Sequence, residues 1–115
     1  MKKLLLASAA SLALASMATA QEVKIGTVVG FTGPLESLAP DMAGGSELAM
    51  NEVNASSNFL NGATVVSVRG DSTCIDAAAA TAVAERLITS DGVSGIVGAD
   101  CSGVTNAMLQ NVAVP

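Results

Sequence analysis

Ser102 is the residue of this 115-residue chain whose type and position could do chemistry. It lies in Asp100-Cys101-Ser102-Gly103, where an apolar run gives way to a helical pattern. Free backbone N–H groups at the start of a helix favour an anion, and a hydroxyl there could help them to hold a small carboxylate. A serine at this position could equally be a plain helix cap. The residues alone leave both interpretations open.

A nucleophilic role for Ser102 finds no support within the chain. The sequence contains no histidine, so neither a Ser–His nor a Cys–His couple, nor a His-ligated metal, can form from it. The residues around Ser102 are not the G-x-S-x-G elbow of α/β hydrolases. The chain therefore offers Ser102 no histidine base to activate it as a nucleophile.

Three carboxylates, those of Asp71, Asp76 and Asp100, could cluster at one edge of a sheet. Their spacing matches no calcium loop, so we interpret them as loop acids, with Asp76 as a helix N-cap. The glycines near the first strand have the spacing G-x3-G-x2-G, which is not the dinucleotide fingerprint, and no Gly-Lys-Ser/Thr occurs. We expect no metal and no cofactor.

Residues 1–20 have the pattern of a cleaved secretory signal peptide. Lys2 and Lys3 precede an apolar stretch at residues 4–17, and Ala18-Thr19-Ala20 forms a small-x-small cleavage site. A membrane anchor is the alternative, but this stretch is shorter than the roughly 20 residues that span a bilayer. We therefore expect a periplasmic mature chain of residues 21–115.

The mature chain is acidic and poor in aromatic residues. Removal of Lys2 and Lys3 changes the formal charge from −5 to −7, and aromatic residues make up 2% of the sequence. Nucleic-acid binding needs a basic surface and stacking platforms, so we expect no nucleic-acid partner. In an oxidising compartment Cys74 and Cys101 form a disulfide by default, with two buried free thiols as the alternative.

The hydropathy pattern alternates between strand and helix along the mature chain. Strands are predicted at residues 23–29, 64–69 and 93–97, helices at 37–54, 77–89 and 102–111, and the approach to a fourth strand at 112–115. The predicted buried face of the first helix comprises Met42, Gly45, Ala49 and Val53, with Leu48 beside it, and that of the second comprises Ala79, Val83 and Leu87.

This β-α-β-α-β-α order predicts a doubly wound parallel sheet of the α/β class, flavodoxin-like or Rossmann-like, with helices on both faces. Ligands of open α/β sheets bind outside the carboxyl ends of the strands. Here that edge comprises residues 30–38, 70–76 and 98–103. Three strands on so short a chain bury little surface, so we expect a fragment of a longer chain.

Several short motifs, in a shared order and spacing, resemble one family. They are Lys24-Ile25-Gly26, Thr32-Gly33-Pro34, Gly45-x-x-Leu48-Ala49-x-x-Glu52-x-Asn54, Asp71-x-x-Cys74-x-Asp76, Asp91-Gly92-Val93 and Gly98-x-x-Cys101-Ser102. Together they resemble the N-terminus of the periplasmic substrate-binding proteins of branched-chain amino acid ABC transporters, the leucine/isoleucine/valine-binding family. The resemblance covers essentially the whole mature chain.

The resemblance implies a type I periplasmic binding fold, in which two α/β lobes close on a ligand between them. Residues 21–115 would be the N-terminal part of lobe 1, without the rest of that lobe, the hinge and lobe 2. The family disulfide would pair Cys74 with Cys101. Ser102 would hold the ligand's α-carboxylate through its hydroxyl and amide, beside Cys101 and Gly103. Leu38 stands where the family often has an aromatic residue against the ligand, and Ala39 follows where glycine is common.

The function implied is solute capture for an ABC importer, without chemistry on the solute. The ligand would be a branched-chain or related amino acid, or a small amide or carboxylate, delivered to a membrane permease by a monomeric protein. Alternatives are a ligand-sensing receptor domain of the same fold and an exported α/β hydrolase with Ser102 as its nucleophile. Because hinge closure needs two lobes, we expect the chain alone not to bind its ligand tightly.

Overall fold

The computed structural model describes residues 21–114, so the predicted signal peptide lies outside the described residues. Three strands, β1 (Glu22–Val29), β2 (Thr64–Asp71) and β3 (Gly95–Gly98), alternate with three helices, α1 (Ala39–Ser56), α2 (Ala77–Thr89) and α3 (Ser102–Met108). A 3₁₀ turn at Phe59–Asn61 precedes β2, and a π turn at Leu109–Ala113 extends α3. No helix in the described range is long and apolar enough to cross a membrane.

The strands form one parallel sheet in the order β2-β1-β3. Val29 at the end of β1 lies opposite Asp71 at the end of β2, and Val28 lies opposite Gly98 at the end of β3. The carboxyl ends of all three strands are therefore level. The loops that follow them must meet at one edge of the sheet, as the sequence predicts.

Helices cover both faces of the sheet, which confirms the predicted doubly wound α/β class. Successive strand residues point to opposite faces. Val28 packs with α2 and α3 in a cluster completed by Ala80, Ala84, Leu87, Val104 and Met108. Its neighbour Val29 packs with Ala39 and Ala43 of α1 on the other face.

The buried face of α1 differs from the predicted one. The structure buries Ala39, Ala43 and Met50, whereas Met42, Leu48 and Val53 of the predicted face and its border are exposed. Ala39 and Ala43 are fully buried because their small side chains let the helix approach β1 closely. Alanine and glycine occur on several sides of this helix, so its apolar pattern does not define one face.

The buried face of α2 is rotated by one residue from the prediction. Leu87 is buried as expected, but Ala80 and Ala84 take the central positions predicted for Ala79 and Val83. Val83 is only half-buried and packs at the border of the cluster. A run of alanines has equal hydrophobicity all round, so the pattern could not fix the rotation of the helix about its axis.

Two contacts attach α1 to the outer strand β2. The side-chain amide of Asn54 donates to the carbonyl of Val65 at 2.8 Å and accepts from its N–H at 2.7 Å. Arg69 forms a two-pronged ion pair with Glu47 at 2.7 and 2.8 Å. Asn54 thus occupies backbone groups that an edge strand would otherwise leave open.

The end of the chain also differs from the prediction. Residues 112–114 belong to the π turn and its cap and do not enter a strand. The third strand begins at Gly95 and not at Val93, because the N–H of Val93 bonds to the carbonyl of Leu87 at the end of α2. The prediction assigned Val93 and Val112 to strands because valine favours strands, whereas the local turns at these positions decide their conformation.

Candidate functional site

The loops after β2 and β3 are joined covalently at the carboxyl edge of the sheet. Cys74 and Cys101 form a disulfide with a Cα–Cα distance of 5.2 Å, which confirms the predicted pairing. Cys101 adopts extended φ and ψ angles and is the N-cap residue of α3. The disulfide therefore anchors the first turn of α3 to the loop that enters α2.

Ser102 is the first helical residue of α3 and not its cap. Ser102 and Gly103 are both exposed. The first intrahelical bond at this end runs from the N–H of Thr105 to the carbonyl of Cys101, so the preceding N–H groups of Ser102 and Gly103 have no partner inside the helix. A hydroxyl and two N–H groups are thus available together at this edge.

Asp100 connects all three loops at the edge. Its Oδ2 accepts the N–H of Gly30 at 2.8 Å, and its Oδ1 accepts the hydroxyl of Ser72 at 3.1 Å. Gly30 follows β1, Ser72 follows β2 and Asp100 itself follows β3. The carboxylate expected to be a plain loop acid is therefore an internal crosslink.

Asp71 connects the first two loops. Its carboxylate accepts the hydroxyl of Thr32 at 2.7 Å and the N–H groups of Thr32 and Thr73 at 3.2 and 2.8 Å. Burial alone would raise the pKa of Asp71, but these hydrogen bonds, with a further one from the backbone of Phe31, hold it below its ordinary value. Asp71 is thus kept ionised as an acceptor.

The loop after β1 lies close against the loop after β2. Gly33 has a φ of +90°, and a Cβ there would lie 2.5 Å from the carbonyl oxygen of Thr73. Both the left-handed backbone and the lack of space require glycine at this position. The backbone of this loop is therefore held in one conformation where it crosses the loop after β2.

Leu38 lies in that first loop, directly before α1, and is 55% exposed. Its backbone closes the turn through bonds with Leu35 and Met42. The disulfide brings Cys101 and the adjoining Ser102 and Gly103 to a fixed place on the same edge. Leu38 belongs to that edge by topology, and its side chain is open to solvent.

Asp76 caps α2, as predicted, by accepting the N–H groups of Ala78 and Ala79 at 2.9 and 3.0 Å. The three edge carboxylates are thus engaged separately. Within residues 21–114 no group of three or more His, Cys, Asp and Glu side chains is arranged to hold a metal ion.

The sequence analysis missed the partners of these carboxylates. Thr32 and Ser72 each follow a strand within three residues. The third partner is the backbone N–H of Gly30, which no residue type in the sequence indicates. A hydroxyl directly after a parallel strand, with an acid directly after its neighbour, is the pattern that could have indicated them.

An apolar groove of about 470 Å³ lies elsewhere, between α2, β3 and the end of the chain. Ile88, Ile96, Met108 and Leu109 are among the residues that line it. It contains none of the predicted ligand-binding residues. The candidate site is therefore the edge that carries Ser102, and not this groove.

The chain is similar to periplasmic binding proteins of known sequence. The family model described as periplasmic binding protein matches residues 22–114. A Leu/Ile/Val-binding protein homolog of Brucella melitensis is 38% identical over 109 residues, which is 95% of this chain and 27% of that protein. The chain thus spans about a quarter of the length of the relatives that it matches.

Solved structures share the fold. A branched-chain amino acid transporter substrate binding protein of Streptococcus pneumoniae, in complex with isoleucine, is 30% identical with a TM-score of 0.71, covering 81% of this chain and 26% of that one. A solute binding protein of an ABC transporter from R. palustris, in complex with benzoate, is 25% identical with a TM-score of 0.64, covering 77% and 24%.

Proposed function

The chain belongs to the periplasmic binding protein family, and from that premise we propose that it supplies part of the binding cleft of an ABC importer's solute-binding component. The observation that carries this proposal is the exposed start of α3, where the Ser102 hydroxyl and two N–H groups stand free at the carboxyl edge of the sheet. This edge is where ligands bind in open α/β sheets.

In the proposed site Ser102 and Gly103 hold a carboxylate of the ligand. The hydroxyl and the free N–H groups are all donors, and donors directed at an ionised oxygen make the stronger class of hydrogen bond. The disulfide and Asp100 fix the turn before the ligand arrives, which lowers the entropy lost on binding. Leu38 offers an apolar surface for the ligand's side chain from the first loop.

The proposed ligand is an amino acid, branched-chain or related, or another small carboxylate. Support comes from two proteins of similar fold, whose bound ligands are isoleucine and benzoate. Both ligands carry one carboxylate beside an apolar group. A donor cluster on the same edge of the sheet as the exposed Leu38 suits this combination.

The remaining parts of the proposal concern the whole protein. Residues 1–20 direct export and are removed, and residues 21–115 form the N-terminal part of lobe 1, with the opposite wall of the cleft supplied by a second lobe. The loaded protein then delivers its solute to a membrane permease. Support comes from the family and from the relatives' names, which describe binding proteins and not enzymes.

The test is a calorimetric titration of a protein of the relatives' length that carries this chain, with Leu, Ile, Val and benzoate. We expect micromolar binding of at least one ligand, and Ser102→Ala to weaken it by about 10- to 100-fold through loss of a charge-assisted hydrogen bond. Ser90→Ala is the matched control, because Ser90 is an exposed serine that follows α2 at the opposite edge.

Unchanged affinity in the Ser102→Ala variant would refute the carboxylate site. Hydrolysis of an ester or amide ligand by the wild type, abolished by the same substitution, would instead establish the hydrolase alternative. Binding that is weakened by Ser102→Ala and left unchanged by Ser90→Ala supports the proposal.

A further inference from the structure

We propose that Asp100 is a positioning residue, which holds the Cys101–Gly103 turn against the loops after β1 and β2 in the geometry that binds the ligand. The inference rests on the proposed function and assigns a role to a side chain that does not itself donate to a carboxylate. Asp100 lies two residues before Ser102, so a displacement of its backbone also displaces the proposed donors.

The carboxylate spans residues that are distant in sequence. Its bond to the N–H of Gly30 crosses 70 positions, and its bond to the hydroxyl of Ser72 crosses 28. The disulfide connects only the second and third loops. Asp100 also connects the loop after β1, through the N–H of Gly30. Because that loop carries Leu38, the carboxylate helps to fix the proposed apolar contact relative to the proposed donors.

The direction of the hydrogen bonds requires an acceptor at both carboxylate oxygens. The Ser72 side chain is fully buried, and its Oγ accepts the N–H of Cys74 at 3.4 Å. Its own proton is therefore free to be donated to Asp100, while the Gly30 N–H can only donate. An ionised carboxylate satisfies both donors, whereas an amide presents a donor to one of them.

The fit around Asp100 is also close. A Cβ at Gly30 would lie 3.3 Å from the Asp100 Oδ2 and 3.3 Å from the Cβ of Cys74. The first loop thus approaches both the carboxylate and the disulfide through a residue without a side chain. Gly30 follows the last paired residue of β1, so this close contact lies in the loop and not in the sheet.

The hydrogen bonds to both Asp100 oxygens bear on how an acidic side chain can lie near a site for an anionic ligand. A free carboxylate near the start of α3 would repel an anionic ligand. Here both oxygens accept bonds from Gly30 and Ser72 within the edge. The two donor dipoles offset part of that charge, so its repulsion of a ligand at the start of α3 is reduced.

The test compares Asp100→Ala with the isosteric Asp100→Asn in the same protein of the relatives' length. Ligand affinity is measured by calorimetry, and exchange of the Gly30 amide hydrogen is followed by NMR or mass spectrometry. Glu85→Ala is the control, because it removes an exposed carboxylate of α2.

We expect Asp100→Ala to weaken binding by about 10-fold and to accelerate Gly30 exchange by a similar factor, because two buried donors lose their acceptor. Asp100→Asn keeps one acceptor oxygen and is expected to restore affinity to within about threefold of the wild type, with intermediate exchange. Glu85→Ala is expected to change neither quantity.

Wild-type affinity and wild-type Gly30 exchange in Asp100→Ala would overturn the proposal while leaving the proposed function intact. Absence of ligand binding by the wild type would refute the proposed function, and the ligand-positioning role with it. If Asp100→Ala does not fold, Asp100→Asn decides: affinity and exchange both equal to the wild type contradict the proposal, and weaker affinity together with faster Gly30 exchange supports it.

Discussion

The three carboxylates at the carboxyl edge have the same chemistry and different partners. Asp76 accepts two N–H groups of the helix that it begins, Asp71 connects two loops, and Asp100 connects three. Their roles differ because each carboxylate faces a different set of donors. The cap was predictable because its donors lie two and three residues further on. The hydroxyl donor to Asp71 and both donors to Asp100 instead come from loops that follow other strands.

The hydrogen bonds to Asp71 predict a dependence of stability on pH. Because its pKa is lowered in the folded state, Asp71 stabilises the fold above its unfolded pKa of about 3.9, and this contribution is lost as the pH falls through the lower folded value. Asp71→Asn is expected to cost about 1–2 kcal/mol at pH 7 and progressively less below pH 4. Urea unfolding of both proteins at pH 7 and pH 3 measures the difference.

The matched control for this experiment is Glu52→Gln on the exposed side of α1. It removes the same charge where the structure shows no hydrogen bond to the carboxylate within the described residues. Its effect is expected to stay within about 0.5 kcal/mol at both pH values. An equal cost of Asp71→Asn at pH 7 and pH 3 would show that its hydrogen bonds do not depend on ionisation.

At the scale of elements, the sequence predicted identity and order better than orientation. All three strands and all three helices overlap the predicted ranges, and α2 begins directly after its predicted cap Asp76. The packed faces of α1 and α2 were wrong. Alanine or glycine occurs on several sides of each helix, so the partner strand decides which small residue is buried.

Among the candidate site residues, Cys74 and Cys101 were predictable because cysteines in an oxidising compartment pair by default. The position of Ser102 at the start of a helix was also predictable from the pattern. The crosslinks through Thr32 and Ser72 were not, since they require the strand order β2-β1-β3 and the level ends of the strands.

The close packing of α2 on the sheet predicts the effect of a single methyl group at Gly70. A Cβ there would lie 2.5 Å from a methyl carbon of Val83 and 3.2 Å from one of Leu87. Gly70→Ala is expected to destabilise the fold by about 1–3 kcal/mol, because the helix must move outward. Thermal or urea unfolding measures it.

Gly44→Ala provides the opposite expectation with the same chemical change. Gly44 lies within α1 and has no atom within 4 Å of a Cβ, so the added methyl is expected to stabilise the fold by about 0.5–1 kcal/mol. A Gly70→Ala variant as stable as the wild type would contradict the packing of α2 against β2, and destabilisation by Gly44→Ala would contradict the open space beside α1.

At the scale of the whole molecule, the described residues would present one wall of the proposed cleft. The donors of Ser102 and Gly103 and the exposed Leu38 lie on a single edge, open to solvent. In the proposed two-lobe arrangement the second lobe covers the other side of the ligand. Without it, a ligand bound to this edge keeps much of its surface in water. Its carboxylate then exchanges bonds with water for bonds with the protein at little net gain.

This one-sided site predicts weak binding by the mature chain alone, residues 21–115. Two or three hydrogen bonds without enclosure are expected to give a dissociation constant of about 1 mM or weaker for Leu, Ile and Val, which corresponds to about −4 kcal/mol. NMR titration of the labelled chain should show small shifts confined to the amides near Ser102, and none there with Ser102→Ala. Micromolar binding by residues 21–115 would contradict the two-lobe proposal, because one wall would then suffice.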